Sequence, residues 1–169
     1  YEKYMKEDLR ALAQNREAVK TGERLFVNYC TTCHGSDAGG GPGFPNLRDN
    51  DWLYGGDPLT VKASIMNGRA GVMPGWGAVL GQEGVFNVSE YVLSLSGRGK
   101  NADAAASGQV KFQQLCVACH GQDGKGNPAL GAPNLTDGIW LYGGSQKAVM
   151  EAIEKGRQGR MPAHRDFLG

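Results

Sequence analysis

The strongest constraint on this chain is a pentapeptide that occurs twice, as Cys30-Thr31-Thr32-Cys33-His34 and as Cys116-Val117-Ala118-Cys119-His120. Cys-x-x-Cys-His is the pattern of c-type haem attachment. Two thiols at that spacing can add to the two vinyl groups of one porphyrin. The adjacent His34 or His120 then lies under the ring and offers an imidazole nitrogen to the iron. The rival readings fit less well. A thioredoxin-like redox pair sits in a βαβ pattern and needs no His behind it. A structural zinc takes four ligands, and each Cys2His set is one short. A chance match would not use all four cysteines in two motifs with matching surroundings.

Those surroundings repeat at a period of about 88 residues, which marks a tandem duplication and not a solenoid. Gly22 and Phe26 recur as Gly108 and Phe112, and Pro45-Asn46-Leu47 as Pro133-Asn134-Leu135, with the second intervening Gly-rich loop two residues longer. Trp52-Leu53-Tyr54-Gly55-Gly56 recurs as Trp140-Leu141-Tyr142-Gly143-Gly144, and Met73-Pro74 as Met161-Pro162. The apolar spacing of Val19, Gly22, Phe26 and Tyr29 predicts a helix over 17–29. Asp57-Pro58 predicts a short helix with Asp as N-cap and Pro at its first position, with Val61 and Ile65 inward and Gly68 as its stop. Ser145, Val149, Ile153 and Gly156 repeat that helix.

A further amphipathic helix is expected over 85–95. The domain reading is a solvated lead-in over 1–16, a first domain over 17–97, a linker over 98–106 and a second domain over 107–169. The stripe Val88, Tyr91, Val92 and Leu95 is expected to cross the first helix at Gly22 and Phe26. Nothing after Leu168-Gly169 matches residues 85–95, so Gly108 and Phe112 are expected to await an equivalent helix beyond the sequence given.

Composition suits small units wrapped around something other than their own side chains. Gly accounts for 27 of 169 residues, about twice the usual share of roughly 7%. A haem supplies apolar core to a domain too small to build one. Net charge is +1, which four haem propionates would turn negative. There is no basic stripe to imply nucleic acid, and no apolar run to span a bilayer. The chain opens Tyr1-Glu2-Lys3-Tyr4 with neither initiator Met nor signal peptide, and is expected to begin inside a longer protein. Covalent haem implies a compartment outside the cytoplasm, a bacterial periplasm.

Met73 and Met161 are the candidate sixth ligands. Each precedes a Pro that pushes it towards extended backbone, and a thioether favours ferrous iron. Met5, Met66 and Met150 have no such paired offset and read as gap fillers. His164, three residues beyond Met161, faces Trp76 in the repeat and reads as a surface or haem-edge residue. Pro45 and Pro133 are expected to accept the other imidazole N–H of each His, as metal-bound histidines require. Trp52, Trp140, Arg69 and Arg157 are candidates for bonding propionates. Packing on the porphyrin for the tryptophans, and a solvated face for the arginines, remain open beside that.

Together these residues resemble class I cytochrome c domains: N-terminal helix, Cys-x-x-Cys-His, Pro-Asn-Leu, then Met-Pro. More narrowly, Gly43-Phe44-Pro45-Asn46-Leu47-Arg48-Asp49-Asn50-Asp51-Trp52 and Gly159-Arg160-Met161-Pro162-Ala163 resemble the dihaem subunit of cbb3-type cytochrome c oxidases. The resemblance implies an all-α fold of two tandem class I cytochrome c domains. It implies two covalent haem c groups: one on Cys30, Cys33, His34 and Met73, the other on Cys116, Cys119, His120 and Met161.

It further implies a subunit with no catalysis of its own that relays electrons from a soluble periplasmic cytochrome c to monohaem and catalytic oxidase subunits. Its N-terminal membrane anchor is not in this chain. The alternatives are a free dihaem carrier, the cytochrome subunit of a periplasmic dehydrogenase, and, less well supported, a dihaem peroxidase. A peroxidase needs an open iron site, which two equivalent Met-Pro positions argue against.

Overall fold

The computed structural model describes residue 4 and residues 6–168, so the reading of Met5 lies outside it. The described chain is mostly helical and falls into two compact units. These units do not follow the repeat. One comprises the segment ending at Asn50, Gly56–Gly68 and the segment from Pro162; the other comprises Asp51–Gly55 and Arg69–Met161.

The first unit begins with α1 (Leu9–Leu12), a single turn capped by Asp8, within the expected solvated lead-in. α2 (Arg16–Tyr29) starts where the Asn15 side chain accepts from the backbone N–H of Glu17 and Ala18. α3 (Thr31–His34) is one further turn. α4 (Pro58–Asn67) forms as its sequence predicts: Asp57 accepts from the N–H of Leu59 and Thr60, Pro58 opens the helix, and Gly68 ends it at φ 72°. α9 (Arg165–Leu168) returns to α4, where the His164 N–H donates to Ile65 O and Arg165 Nη2 donates to Asn67 Oδ1. No apolar side chain among the described residues of this unit is fully buried; His34 is its buried residue. Val61 and Ile65 are only half-buried.

The second unit holds the apolar core, formed by Val85, Val88, Val92, Leu93, Phe112, Val149 and Ile153. Its elements are β1 (Arg69–Met73), α5 (Gly77–Leu95), α6 (Ala102–Leu115), α7 (Val117–His120), α8 (Gln146–Lys155) and β2 (Arg157–Met161). α5 is longer than the expected helix because a first segment joins it across Gly81, whose φ of 63° interrupts the helical backbone. α6 begins five residues before the expected start of the second domain, because Asn101 caps it by accepting from the Ala104 N–H. Ser145 caps α8 by accepting from the Ala148 N–H, and Gly156 closes it. β1 and β2 pair antiparallel, with Gly71 opposite Gly159. This ribbon is the departure from helix that the sequence reading did not foresee, although Met–Pro did predict extended backbone.

The packing of α5 corrects the sequence reading. It crosses α6 at Gly108, a helix the sequence reading had left without this cover. A side chain at Gly108 would run into the backbone carbonyl of Asn87, whereas nothing lies within 4 Å of one at Gly22. Phe112, expected to await a helix beyond residue 169, is 1% exposed and packs on Tyr91 with ring centroids 5.1 Å apart. The physical reason is degeneracy: α2 and α6 carry the same Gly–Phe stripe, so the α5 stripe fits either. Residues 96–101 are a short connection that lets α5 and α6 form an antiparallel hairpin. Buried Glu90 then finds partners there, accepting from the N–H of Lys100 and Asn101 at 2.7 Å each and from Gln146 Nε2.

Candidate functional site

Both pentapeptides fold alike. α2 ends at Cys30, whose N–H donates to Phe26 O; α6 ends at Cys116, whose N–H donates to Phe112 O. One more helical turn follows each, with His34 N–H donating to Cys30 O and His120 N–H to Cys116 O, both at 2.9 Å. A helical turn brings residues three and four apart onto one side. The two thiols and the imidazole of each motif therefore share a face. Cys30 and Cys116 are half-buried, Cys33 and Cys119 exposed, and none of the four is in a disulfide. Burial, with the partner thiol next, pushes Cys30 up, and the same causes push Cys116 up to about 11. A thiol shifted that way is the opposite of an activated redox cysteine.

Behind each His stands a proline carbonyl. His34 Nδ1 lies 3.1 Å from Pro45 O, and His120 Nδ1 lies 3.3 Å from Pro133 O. A carbonyl can only accept, so Nδ1 carries the proton and Nε2 keeps its lone pair for a metal. Gly40 and Gly126 make this possible. Each has positive φ (71° and 82°), and a Cβ on either would collide with the backbone of Phe44–Pro45 or Ala132–Pro133. The N–H of the same glycine ties the loop back to His34 O or His120 O, at 2.8 and 2.9 Å. Burial holds the His120 imidazole below its ordinary pKa, against the smaller opposing effect of the Pro133 bond.

The structure distributes the remaining candidates unevenly. Cys30, Cys33, His34 and Pro45 belong to the first unit, while Trp52, Arg69 and Met73 belong to the second. The second set, Cys116, Cys119, His120, Pro133, Trp140, Arg157 and Met161, lies wholly within the second unit. Met73 and Trp140 pack beside the core, as does Met150. His164 is half-buried and its backbone is engaged with α4. Trp140 Nε1 and Arg157 Nε are buried donors with no hydrogen-bond acceptor among the described residues. Arg157 also donates Nη2 to Ala148 O and lies over the Tyr142 ring. Arg69 lies in the same way over Tyr54. Sequence reasoning passed over both tyrosines, although they sit inside the repeated Trp-Leu-Tyr-Gly-Gly. It passed over Glu90 too, whose signal is an acid within an apolar stripe.

The donor set fits a covalent haem. Each motif offers two thiols and an imidazole whose Nδ1 is engaged by a proline carbonyl. The second adds two orphaned donors of the kind a propionate satisfies, and the first unit buries its His without any fully buried apolar side chain around it. Among the described residues no group of three or more His, Cys, Asp or Glu gathers to hold a metal by itself. No helix among them is long and apolar enough to cross a membrane.

These features define a mostly helical chain of two tandem cytochrome c segments, each carrying the paired cysteines that imply haem c. Residues 17–92 and 103–169 match the family described as cytochrome c oxidase, cbb3-type, subunit III, and the chain belongs to that family. It is 49% identical to the cbb3-type cytochrome c oxidase subunit CcoP of Rubrivivax gelatinosus, over 99% of this chain and 55% of that protein. It is 43% identical to subunit FixP of Azorhizobium caulinodans, over 84% of this chain and 52% of the relative. Against subunit CcoP of Cereibacter sphaeroides it is 41% identical, over 92% and 59%. The chain thus spans somewhat more than half the length of the curated relatives it matches.

Proposed function

We propose that the chain is an electron-relay segment of a cbb3-type terminal oxidase, working through two covalently attached haem c groups. Cys30 and Cys33 hold one and Cys116 and Cys119 the other, with His34/Met73 and His120/Met161 as axial pairs. Haem c supplies a one-electron ferric/ferrous couple at each site. The protein's own contribution is positional. Pro45 and Pro133 fix the imidazole tautomer, the Met–Pro segments hold the thioethers extended, and Trp140 and Arg157 offer donors to propionates. With His34 and Met73, or His120 and Met161, as its ligands, each iron would have no open position for oxygen or peroxide, which suits relay and not turnover. Electrons enter from a soluble periplasmic cytochrome c and leave towards monohaem and catalytic oxidase subunits. The segment works at the periplasmic face of the inner membrane, tethered by an N-terminal anchor outside this sequence. The repeat units 17–97 and 107–169 are the units of haem attachment.

One observation carries this reading: each His of a Cys-x-x-Cys-His turn is backed by a proline carbonyl, at the same place in both halves of a chain of this family. The test is expression with haem-attachment machinery, followed by extraction with acidified organic solvent. Both haems should stay with the polypeptide, and the full-length protein should copurify with the membrane oxidase subunits of its native organism. Haem lost to the solvent would sink the attachment reading. A full-length protein recovered free of those subunits would sink the oxidase assignment.

A further inference from the structure

The two Met–Pro segments are not separate loops: β1 and β2 are partners in one antiparallel ladder. Its register opposes Gly71 to Gly159 at the centre, Arg69 to Met161 at one end and Met73 to Arg157 at the other. Opposed residues of such a pair, and residues two apart along one strand, project to the same face. Arg69, Met73, Arg157 and Met161 therefore share a face. The two methionines stand at its opposite ends, about 14 Å apart at roughly 3.4 Å per residue. Burial follows this division, with those four residues half-buried and Ala70, Val72, Gln158 and Arg160 exposed.

Over the middle of that face stand two tyrosines. A carbon added at Gly71 would meet the Tyr54 hydroxyl at 3.0 Å, and one added at Gly159 would meet the Tyr142 hydroxyl at 3.5 Å. Each ring is stacked by the arginine of the strand it covers, with Arg69 4.6 Å from the Tyr54 centroid and Arg157 5.0 Å from that of Tyr142. Two repeat-related Tyr–Arg stacks thus straddle a glycine pair that has no side chains to exclude them. A two-stranded ribbon is marginal on its own, and cation–π stacks gain strength when desolvated. Register, once held, fixes the positions of both methionines at the two ends of the ribbon.

We propose that Tyr54 and Tyr142 are positioning residues that lock the two methionine segments into one ribbon, so that the axial thioethers of the two haem sites are held, and their potentials set, jointly. The proposal rests on the reading of Met73 and Met161 as ligands. A haem potential responds to the identity of its axial ligand and to the structure around it. Loosening the ribbon from either tyrosine therefore reaches both sites. The ring and not the hydroxyl carries the stack, so Phe should serve nearly as well as Tyr.

The test uses the chain with both haems attached. Midpoint potentials are measured for wild type, Tyr54→Ala, Tyr142→Ala, the double variant and both Tyr→Phe proteins. Met73→His serves to mark the first-half wave by its larger displacement. Each Ala variant should shift both potentials, the double should shift them by less than the summed singles, and the Phe proteins should stay near wild type. Effects confined to the variant's own haem and adding in the double would overturn the proposal. Amide exchange of the ladder gives a reading that does not need the ligands: the amides that donate between β1 and β2 should exchange about tenfold faster in either Ala variant. Unchanged ladder protection would overturn the locking role. A wild-type spectrum lacking thioether ligation would instead overturn the ligand reading, and with it the shared potentials.

Discussion

The carbonyl of Asn87 occupies the space that Gly108 leaves by having no side chain, and this contact seats α5 on α6. The repeat partner of Gly108 is Gly22, which has open space beside it. One substitution at two equivalent positions should therefore act with opposite signs. Gly108→Ala drives a methyl into backbone and should destabilise the second unit by about 1–3 kcal/mol, the range of overpacking. Gly22→Ala adds a helix former on an open face and should stabilise α2 by about 0.5–1 kcal/mol. Denaturant unfolding of both proteins decides this; equal effects would mean that α5 does not sit where described.

Glu90 is buried to 1% and gathers three donors: the N–H groups of Lys100 and Asn101 at the start of α6, and Gln146 Nε2 on α8. A carboxylate there also complements the positive end of the α6 dipole. Glu90→Ala should cost about 1–3 kcal/mol through donors left without their acceptor. Glu90→Gln, which keeps one acceptor oxygen and the packing, should cost less. Equal melting temperatures for Glu90→Ala and wild type would show that the clamp contributes nothing.

Much of the fold could be read locally. Asp57-Pro58, Ser145 and the two closing glycines set α4 and α8 because capping is decided within four residues of chain. The Pro45 and Pro133 carbonyls were likewise legible from the need of a liganding imidazole for a fixed acceptor. The seat of α5 was not legible, since identical Gly–Phe stripes on α2 and α6 give one helix two equivalent partners. The β1–β2 ribbon was hidden for another reason. Each strand is five residues of mixed character, and what pairs them lies about 88 positions away in sequence. Tyr54 and Tyr142 stood in the repeat, but only the ladder shows what they cover.

The equivalent caps of α4 and α8 differ in one chemical respect: Asp57 titrates and Ser145 does not. Hydrogen bonds from Thr60 and Leu59 hold the Asp57 carboxyl below its ordinary value of 3.8. A depressed folded pKa contributes stability that is fully present above the unfolded value and lost as pH falls through the lower folded one. Below about pH 4, α4 should therefore fray while the cap of α8 is unaffected. Asp57→Ser, which copies the second half, should remove that acid sensitivity. The Leu59 and Thr60 amide shifts, followed through an acid titration, report it; an Asp57→Ser protein that frays over the same range would refute it.

The last prediction concerns the iron sites themselves. If Met73 and Met161 each fill one axial position, Met73→Leu and Met161→Leu should each abolish thioether ligation at one haem and leave the other ligated. A Leu side chain offers no donor, so the freed position becomes open to small ligands. The ferrous wild-type protein should then bind carbon monoxide slowly at neutral pH, and each variant should bind one equivalent rapidly. Potentials should fall in the variants, because the thioether favours the ferrous state. His164 provides the internal control. It lies only three residues beyond Met161, so a Met161→Leu protein that stayed closed to carbon monoxide could have recruited this imidazole. Met161→Leu combined with His164→Ala would expose that substitution by opening the site. Rapid carbon monoxide binding by the unaltered protein would show instead that an axial position is vacant, and the relay reading would yield to a ligand-binding one.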